Sequence, residues 1–205
     1  MSHQPVGQMT INRAPVAALL TLSAGGLFVV VPLLVELVSG DAFVLMGLAG
    51  ALFVAALPGL RRLQHGADGA AGSWGLRLAF GGLVAVVALV VSADLIDAMV
   101  DGRSQDVAEG IFVVVAATAG LAALLGLVLF SVGMSRADVF PAPAIWVFLG
   151  GMVLAILTES FEQALRGPVP FLADVLPPLG FIVAGLGLLM IGRSALRLRH
   201  PLRAA

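Results

Sequence analysis

Long apolar runs recur along this chain and constrain its fold more than any other feature. Each run consists almost entirely of Ala, Gly, Val, Leu, Ile, Met and Phe. About 20 such residues in a helix cross a hydrocarbon layer about 30 Å thick. A soluble core could not hide all the runs, because 60% of the 205 residues are hydrophobic, 11% are charged and the mean hydropathy is +1.09. The sequence therefore predicts an integral membrane protein.

The runs predict an all-α fold, a bundle of six transmembrane helices. The expected spans are residues 16–37, 43–60, 78–99, 111–134, 144–165 and 175–191. Residues 16–192 then form one transmembrane domain, between an N-terminal segment at 1–15 and a basic tail at 193–205. The glycine-rich stretch GADGAAGSWG at 66–75 is interpreted as a flexible cytoplasmic linker. No Lys-Ser/Thr pair follows it, as a phosphate-binding loop would require.

The arginines predict which side of the membrane each segment faces. If both termini are cytoplasmic, nine of the eleven basic residues fall inside, and only Arg103 and Arg166 fall outside. Basic residues in short loops favour the cytoplasmic side. Ten of the twelve acidic residues then lie outside or near the outer boundary, and Asp68 and Asp138 lie inside. We therefore expect a multi-pass protein of the plasma membrane with both termini in the cytoplasm.

Two pairs of carboxylates lie where apolar runs end. Asp94 and Asp97 close the third span, and Glu159 and Glu162 close the fifth. A spacing of three residues places each pair on one helix face. Measured from the predicted span starts, Asp94 and Glu159 share a depth about one helical turn below the outer boundary. If the faces meet, four carboxylates surround one cavity, which favours a shared proton or a bound cation. The alternative is a negative outer rim, because acids are well tolerated among headgroups.

Small and aromatic residues indicate how the helices pack and where the membrane boundary lies. Three pairs of small residues spaced by four allow close backbone approach and are predicted packing positions: Gly47 and Ala51, Ala116 and Gly120, and Gly180 and Ala184. Trp74 and Trp146 fall near the inner boundary, where aromatic belts occur.

A faint repeat runs through the chain. ADLIDAMVDG aligns with TESFEQALRG, and the returning helices share AGA, AGL and AGL at residues 49, 119 and 184. Three related helical hairpins would explain this pattern. Chance would explain it too, in a chain built largely from Ala, Gly, Leu and Val.

The composition excludes several kinds of chemistry. There is no Cys and no Lys, so thiolate metal sites and Schiff-base cofactors are excluded. His3, His65 and His200 lie outside the predicted spans, so we expect no bound cofactor. The net charge of −1 argues against a nucleic-acid partner. The sequence favours a non-enzymatic accessory or self-associating membrane component, whose partners are the lipid bilayer and either itself or another membrane protein. The alternative is a small cation- or proton-coupled transporter or channel that uses the four carboxylates.

Overall fold

The computed structural model describes residues 14–34, 42–64, 66–99, 105–160 and 170–198. Over these residues the chain forms six α-helices and no strand. Their bounds are α1 (Ala14–Leu34), α2 (Ala42–Leu63), α3 (Gly69–Met99), α4 (Gln105–Ala137), α5 (Ala142–Ser160) and α6 (Pro170–Arg197). The all-helical prediction is confirmed for this part of the chain.

Five of these helices are long and apolar enough to cross a membrane. By length and composition of the described residues, the candidate segments are Pro15–Leu34, Leu45–Leu63, Gly69–Val86, Val114–Ala137 and Val175–Arg197. The remaining helix, α5, contributes the shorter apolar stretch Ala142–Thr158. Helices suit such sequences because their backbone groups are hydrogen-bonded internally, which a bilayer interior requires.

Successive helices alternate in direction, so the bundle has two chemically different ends. The α3–α4 pair shows this alternation: a Cβ built at Gly133 of α4 would lie 2.6 Å from Cα of Gly72, near the start of α3. Toward the other end of the pair, Gly82 faces Ala123. We call the end holding the starts of α1, α3 and α5 the Arg end, and the opposite end the acid end.

Four helices share most of the large-residue core. In that group α1 contacts α2 and α6, and α6 contacts α5. The rings of Phe53 on α2 and Phe148 on α5 lie 5.0 Å apart between centroids, which joins the two outer members of the group. Phe28 and Phe181 stack between α1 and α6 at 5.8 Å. Other fully buried side chains in the core are Leu57, Leu60, Leu127, Phe130, Ile145, Leu188 and Ile191.

The α3–α4 pair is built differently, from small residues. These two helices have the most extensive contact of any pair, whereas α3 touches α2 and α4 touches α5 only lightly. A Cβ at Gly126 would overlap the backbone of Ala79, and one at Gly75 would overlap the backbone of Phe130. Small side chains therefore let the two backbones approach closely along their whole described contact, as helix pairs in membranes often do.

The glycine-rich stretch at 66–75 is not a flexible linker, and that interpretation was wrong. Gly66 and Gly69 have φ of 80° and 61°, a left-handed conformation that glycine adopts without strain. They form a tight turn, and α3 begins at Gly69, nine residues before the predicted span. Gly72 and Gly75 then pack against α4. The glycines form a turn and a close helix contact. The stretch has the amino-acid composition of a linker but not its structure.

Candidate functional site

Charge divides between the two ends of the bundle. The six arginines in the described part of the chain lie at the Arg end or within about two helical turns of it; they are Arg61, Arg62, Arg77, Arg136, Arg193 and Arg197. Asp68 and Asp138 are the acids at that end. Six other acids have helical backbones at the acid end: Asp94, Asp97, Asp106, Glu109, Glu159 and Asp174. The two surfaces of the bundle therefore carry opposite charge.

The predicted outer carboxylates are only partly placed. α3 and α5 run in the same direction, so the backbones of Asp94, Asp97 and Glu159 approach the same end of the bundle. Their side chains, and the whole of Glu162, lie outside the described residues. Measured from the observed helix starts, Asp94 lies roughly 38 Å along α3 and Glu159 roughly 26 Å along α5. Their shared depth and shared cavity stay predictions.

The positions of possible metal ligands can be compared only among the residues that the structure describes. Within them, no three His, Cys, Asp or Glu side chains are grouped so that they could hold a metal ion. The four predicted carboxylates are not part of that comparison, because their side chains are not among those described.

A partly buried ion pair that sequence reasoning missed joins the end of α2 to the turn before α3. Arg61 donates from Nε to Oδ2 of Asp68 at 3.0 Å, and Asp68 is 1% exposed. The carboxylate lies where a Cβ of Gly72 would be, and Gly133 of α4 packs on the other side of Gly72. A larger residue at position 72 would collide with Asp68. The ion pair therefore depends on the same glycines that bring α3 and α4 together.

Gln64 lies between Arg61 and Asp68 in the chain, and we call these three residues the turn cluster. Gln64 is 1% exposed, and neither its amide nitrogen nor its amide oxygen has a hydrogen-bond partner. Oδ1 of Asp68 is also unpaired. An unpaired buried polar group costs roughly 1–3 kcal/mol. The turn cluster thus keeps one donor and two acceptors without hydrogen-bond partners in the structure.

The buried hydroxyl groups of Thr21, Thr158 and Ser131 differ from the turn cluster in their hydrogen bonding. Thr21 and Thr158 donate to backbone carbonyls four residues earlier, Ala17 and Leu154, at 2.7 Å each. Ser131 on α4 is fully buried, and its Oγ has no partner. The two threonines are satisfied within their own helices. Only the turn cluster and Ser131 keep unused hydrogen-bonding capacity among the described buried side chains.

The sequence contained one usable signal for the turn cluster. Arg61 and Asp68 lie seven residues apart, and Gly66 and Gly69 are both typical of a tight turn. A tight turn would bring the two charged side chains back together. The burial of Asp68 had no local signal, because it depends on Gly133 of α4, more than sixty residues away in sequence.

The six predicted packing residues have different surroundings within the chain. Gly180 faces Ala155, whose nitrogen would lie 2.5 Å from an added Cβ, and Ala184 is fully buried against α5. A Cβ at Gly47 or Gly120 would meet nothing within 4 Å. The other two positions are not deeply buried: Ala51 is exposed and Ala116 is partly exposed. Packing of Gly47, Ala51, Ala116 and Gly120 against a neighbouring helix stays a prediction.

Comparison with known proteins adds no relative. No protein-family model matches the chain, and neither a curated protein nor a solved structure matches it.

Proposed function

We propose that this protein is a non-enzymatic, multi-pass component of the plasma membrane that associates with a second copy of itself through α2. Both termini and the Arg end face the cytoplasm. The observation that carries the proposal is an exposed ridge of small residues on α2, formed by Gly47, Ala51 and Ala55. We call it the α2 ridge.

The α2 ridge has the composition of a helix contact, but no other described part of the chain covers it. Its residues are spaced by four and lie on one face. Glycine inside a helix costs roughly 0.5–1 kcal/mol relative to alanine, so it is favoured where a backbone must approach closely. Elsewhere in the bundle some glycines meet such backbones, as Gly126 meets Ala79, whereas others, such as Gly120 and Gly150, do not. Gly47 has the residue type of a contact position and open space around it.

Cysteine cross-linking tests the proposal, because the natural chain contains no cysteine. In a symmetric dimer the same patch faces itself, so a cysteine near the axis lies close to its own copy. Ala51→Cys should form a covalent dimer in native membranes under mild oxidation. A disulfide requires Cα atoms within about 7 Å, so the readout is strict.

The matched control is Gly150→Cys on α5. Gly150 is also exposed, with nothing within 4 Å of an added Cβ. It should stay monomeric under the same conditions. Absence of a dimer from Ala51→Cys, or equal dimer from both variants, would show that the α2 ridge faces lipid. A cross-linked product of unequal halves would instead identify a different membrane protein as the partner.

The second candidate function is cation- or proton-coupled transport through the acid end. It is favoured by the parallel course of α3 and α5, which carries Asp94, Asp97 and Glu159 toward one end of the bundle. If Asp94 and Glu159 share a cavity, Glu159→Gln should stabilise the purified protein at neutral pH by removing a like charge. It should also remove any stabilisation by added cations. Unchanged stability and unchanged cation response would leave these acids as a negative rim.

A further inference from the structure

Arg77 lies on an exposed side of α3 and has no acidic partner in the described structure. Its guanidinium carbon is 5.2 Å from the centroid of the Trp74 ring, and Trp74 is 58% exposed. Both residues lie on the side of α3 opposite Gly75 and Ala79, which face α4. Among the described residues the one ion pair joins Arg61 to Asp68. The counter-charge for Arg77 is therefore not supplied by the part of the chain that the structure describes.

The length of α3 leaves room for this pair in the headgroup region, because its 31 residues exceed the roughly 20 that cross a hydrocarbon layer. Arg77 starts about 12 Å along α3 from Gly69, and side chains on a helix lean toward its N-terminus. The guanidinium is thus directed back toward Trp74 and the Arg end, as long basic side chains do near membrane surfaces. Trp146 lies close to the start of α5 and is also exposed. Two exposed tryptophans near helix starts at one end mark a membrane boundary.

The charge of the Arg end determines which headgroup fits. Exposed Arg62, Arg136, Arg193 and Arg197 surround the bundle at this end, and none is paired with a carboxylate in the described residues. Each basic residue near an anionic surface strengthens attraction about fivefold. A zwitterionic headgroup would leave this charge uncompensated. We propose that Trp74 and Arg77 bind the phosphate headgroup of an anionic phospholipid, with Arg77 on the phosphate and Trp74 beside the glycerol backbone.

Tryptophan quenching tests this site, since the chain has two tryptophans. Trp146→Phe leaves Trp74 as the reporter, and Trp74→Phe leaves Trp146. Each full-length variant is reconstituted in bilayers containing brominated phosphatidylglycerol or brominated phosphatidylcholine at equal total lipid. Trp74 should show about a three- to fivefold preference for the anionic lipid, as expected for one added cationic contact. Trp146, which has no arginine within four residues, should show a clearly smaller preference.

Further variants assign the preference to Arg77. In the Trp146→Phe background, Arg77→Gln should remove most of the preference, and Arg197→Gln on α6 should leave it unchanged. Equal preference at both tryptophans, or an unchanged preference in Arg77→Gln, would overturn the proposal. If Arg77→Gln does not fold, the comparison of the two tryptophans decides alone. Millimolar inorganic phosphate should not compete, and loss of the preference on its addition would assign the site to free phosphate and overturn the lipid proposal.

Discussion

The tripeptide Ala-Gly-Leu occurs in both α4 and α6, yet its surroundings differ. In α6 a Cβ at Gly185 would lie 2.7 Å from the backbone oxygen of Gly25 on α1. In α4 a Cβ at Gly120 would meet nothing within 4 Å. Ala119 and Ala184 are both buried, and Leu121 and Leu186 are both exposed. In both tripeptides the alanine is therefore buried and the leucine is exposed. They differ at the glycine, which has a helix beside it in α6 but, among the described residues, none in α4.

This difference shows what a small residue in a membrane helix means. Lipid is as apolar as leucine, so helices associate through close packing and not through burial of apolar area. A glycine permits that packing but does not cause it, because a second helix must also pass at that height. Gly185 meets α1, whereas Gly120 has no neighbouring helix among the residues that the structure describes. The tripeptide alone predicts a possible contact, and the arrangement of helices decides whether the contact forms.

The largest effect is expected from replacing the glycines of the two tripeptides. Gly185→Leu should lower the free energy of unfolding by at least about 3 kcal/mol, because the new side chain collides with backbone that cannot move aside. Gly120→Leu should change it by less than about 0.5 kcal/mol, since the added atoms enter open space. Unfolding of the purified proteins in mixed detergent micelles measures both. Equal losses would mean that Gly120 has a neighbouring helix that the single chain does not show.

A second pair of variants compares a buried leucine of α6 with an exposed leucine of α4. Leu188 follows the α6 tripeptide and is fully buried, whereas Leu121 of the α4 tripeptide is 69% exposed. Leu188→Ala should cost about 3 kcal/mol through lost contacts and the cavity left behind. Leu121→Ala should cost less than about 0.5 kcal/mol in the same micelles. A substantial loss from Leu121→Ala would indicate that another protein surface covers α4.

A smaller effect is expected at the turn cluster, which ties α2 to the α3–α4 pair. Arg61→Gln should cost about 2 kcal/mol, because it leaves the buried carboxylate of Asp68 unpaired. The cost stays below that of a fully buried pair, since the Arg61 side chain is 37% exposed and its charge is screened. Arg62→Gln, one residue away and exposed, is the matched control and should cost less than about 0.5 kcal/mol.

A double variant separates the ion pair from general damage to the turn. Arg61→Gln combined with Asp68→Asn removes both charges while keeping both shapes. It should be more stable than Arg61→Gln alone, because no buried charge remains without a partner. If the double variant loses as much as the two single variants added together, the two side chains act independently.

The sequence was sufficient to predict the helices, because each apolar run lies in the same stretch of the chain as the helix that it predicts. Each apolar run predicts its own helix, and all six predicted spans overlap observed helices. The start of α3 was misplaced because Gly, Ala and Ser in residues 66–75 have the composition of a linker. Their helical state depends on Gly72 and Gly75 meeting α4, a contact far away in sequence. Low local hydrophobicity concealed a long helix whose stability comes from close packing.

The candidate sites were less accessible to sequence reasoning for the same reason. Asp68 was assigned correctly to the same side as most arginines, but nothing near it in sequence indicates burial. Its protected position needs Gly72 and Gly133 together. Trp74 was predicted near the membrane boundary, and its exposure and its contact with Arg77 fit that position. Residue type and spacing thus indicated which end of the bundle a site occupies, while its neighbours depended on how the helices pair.

The lipid site at Trp74 and Arg77 and the proposed topology both depend on α3 crossing the membrane with the Arg end in the cytoplasm. Cysteine accessibility tests this directly, since the natural chain has no cysteine. Ala67 is exposed in the turn before α3, and Ser104 is the residue before Gln105, where α4 begins. In intact cells an impermeant thiol reagent should label Ser104→Cys but label Ala67→Cys only after permeabilisation. The reverse pattern would contradict the orientation, and labelling of both variants in intact cells would contradict a membrane crossing by α3.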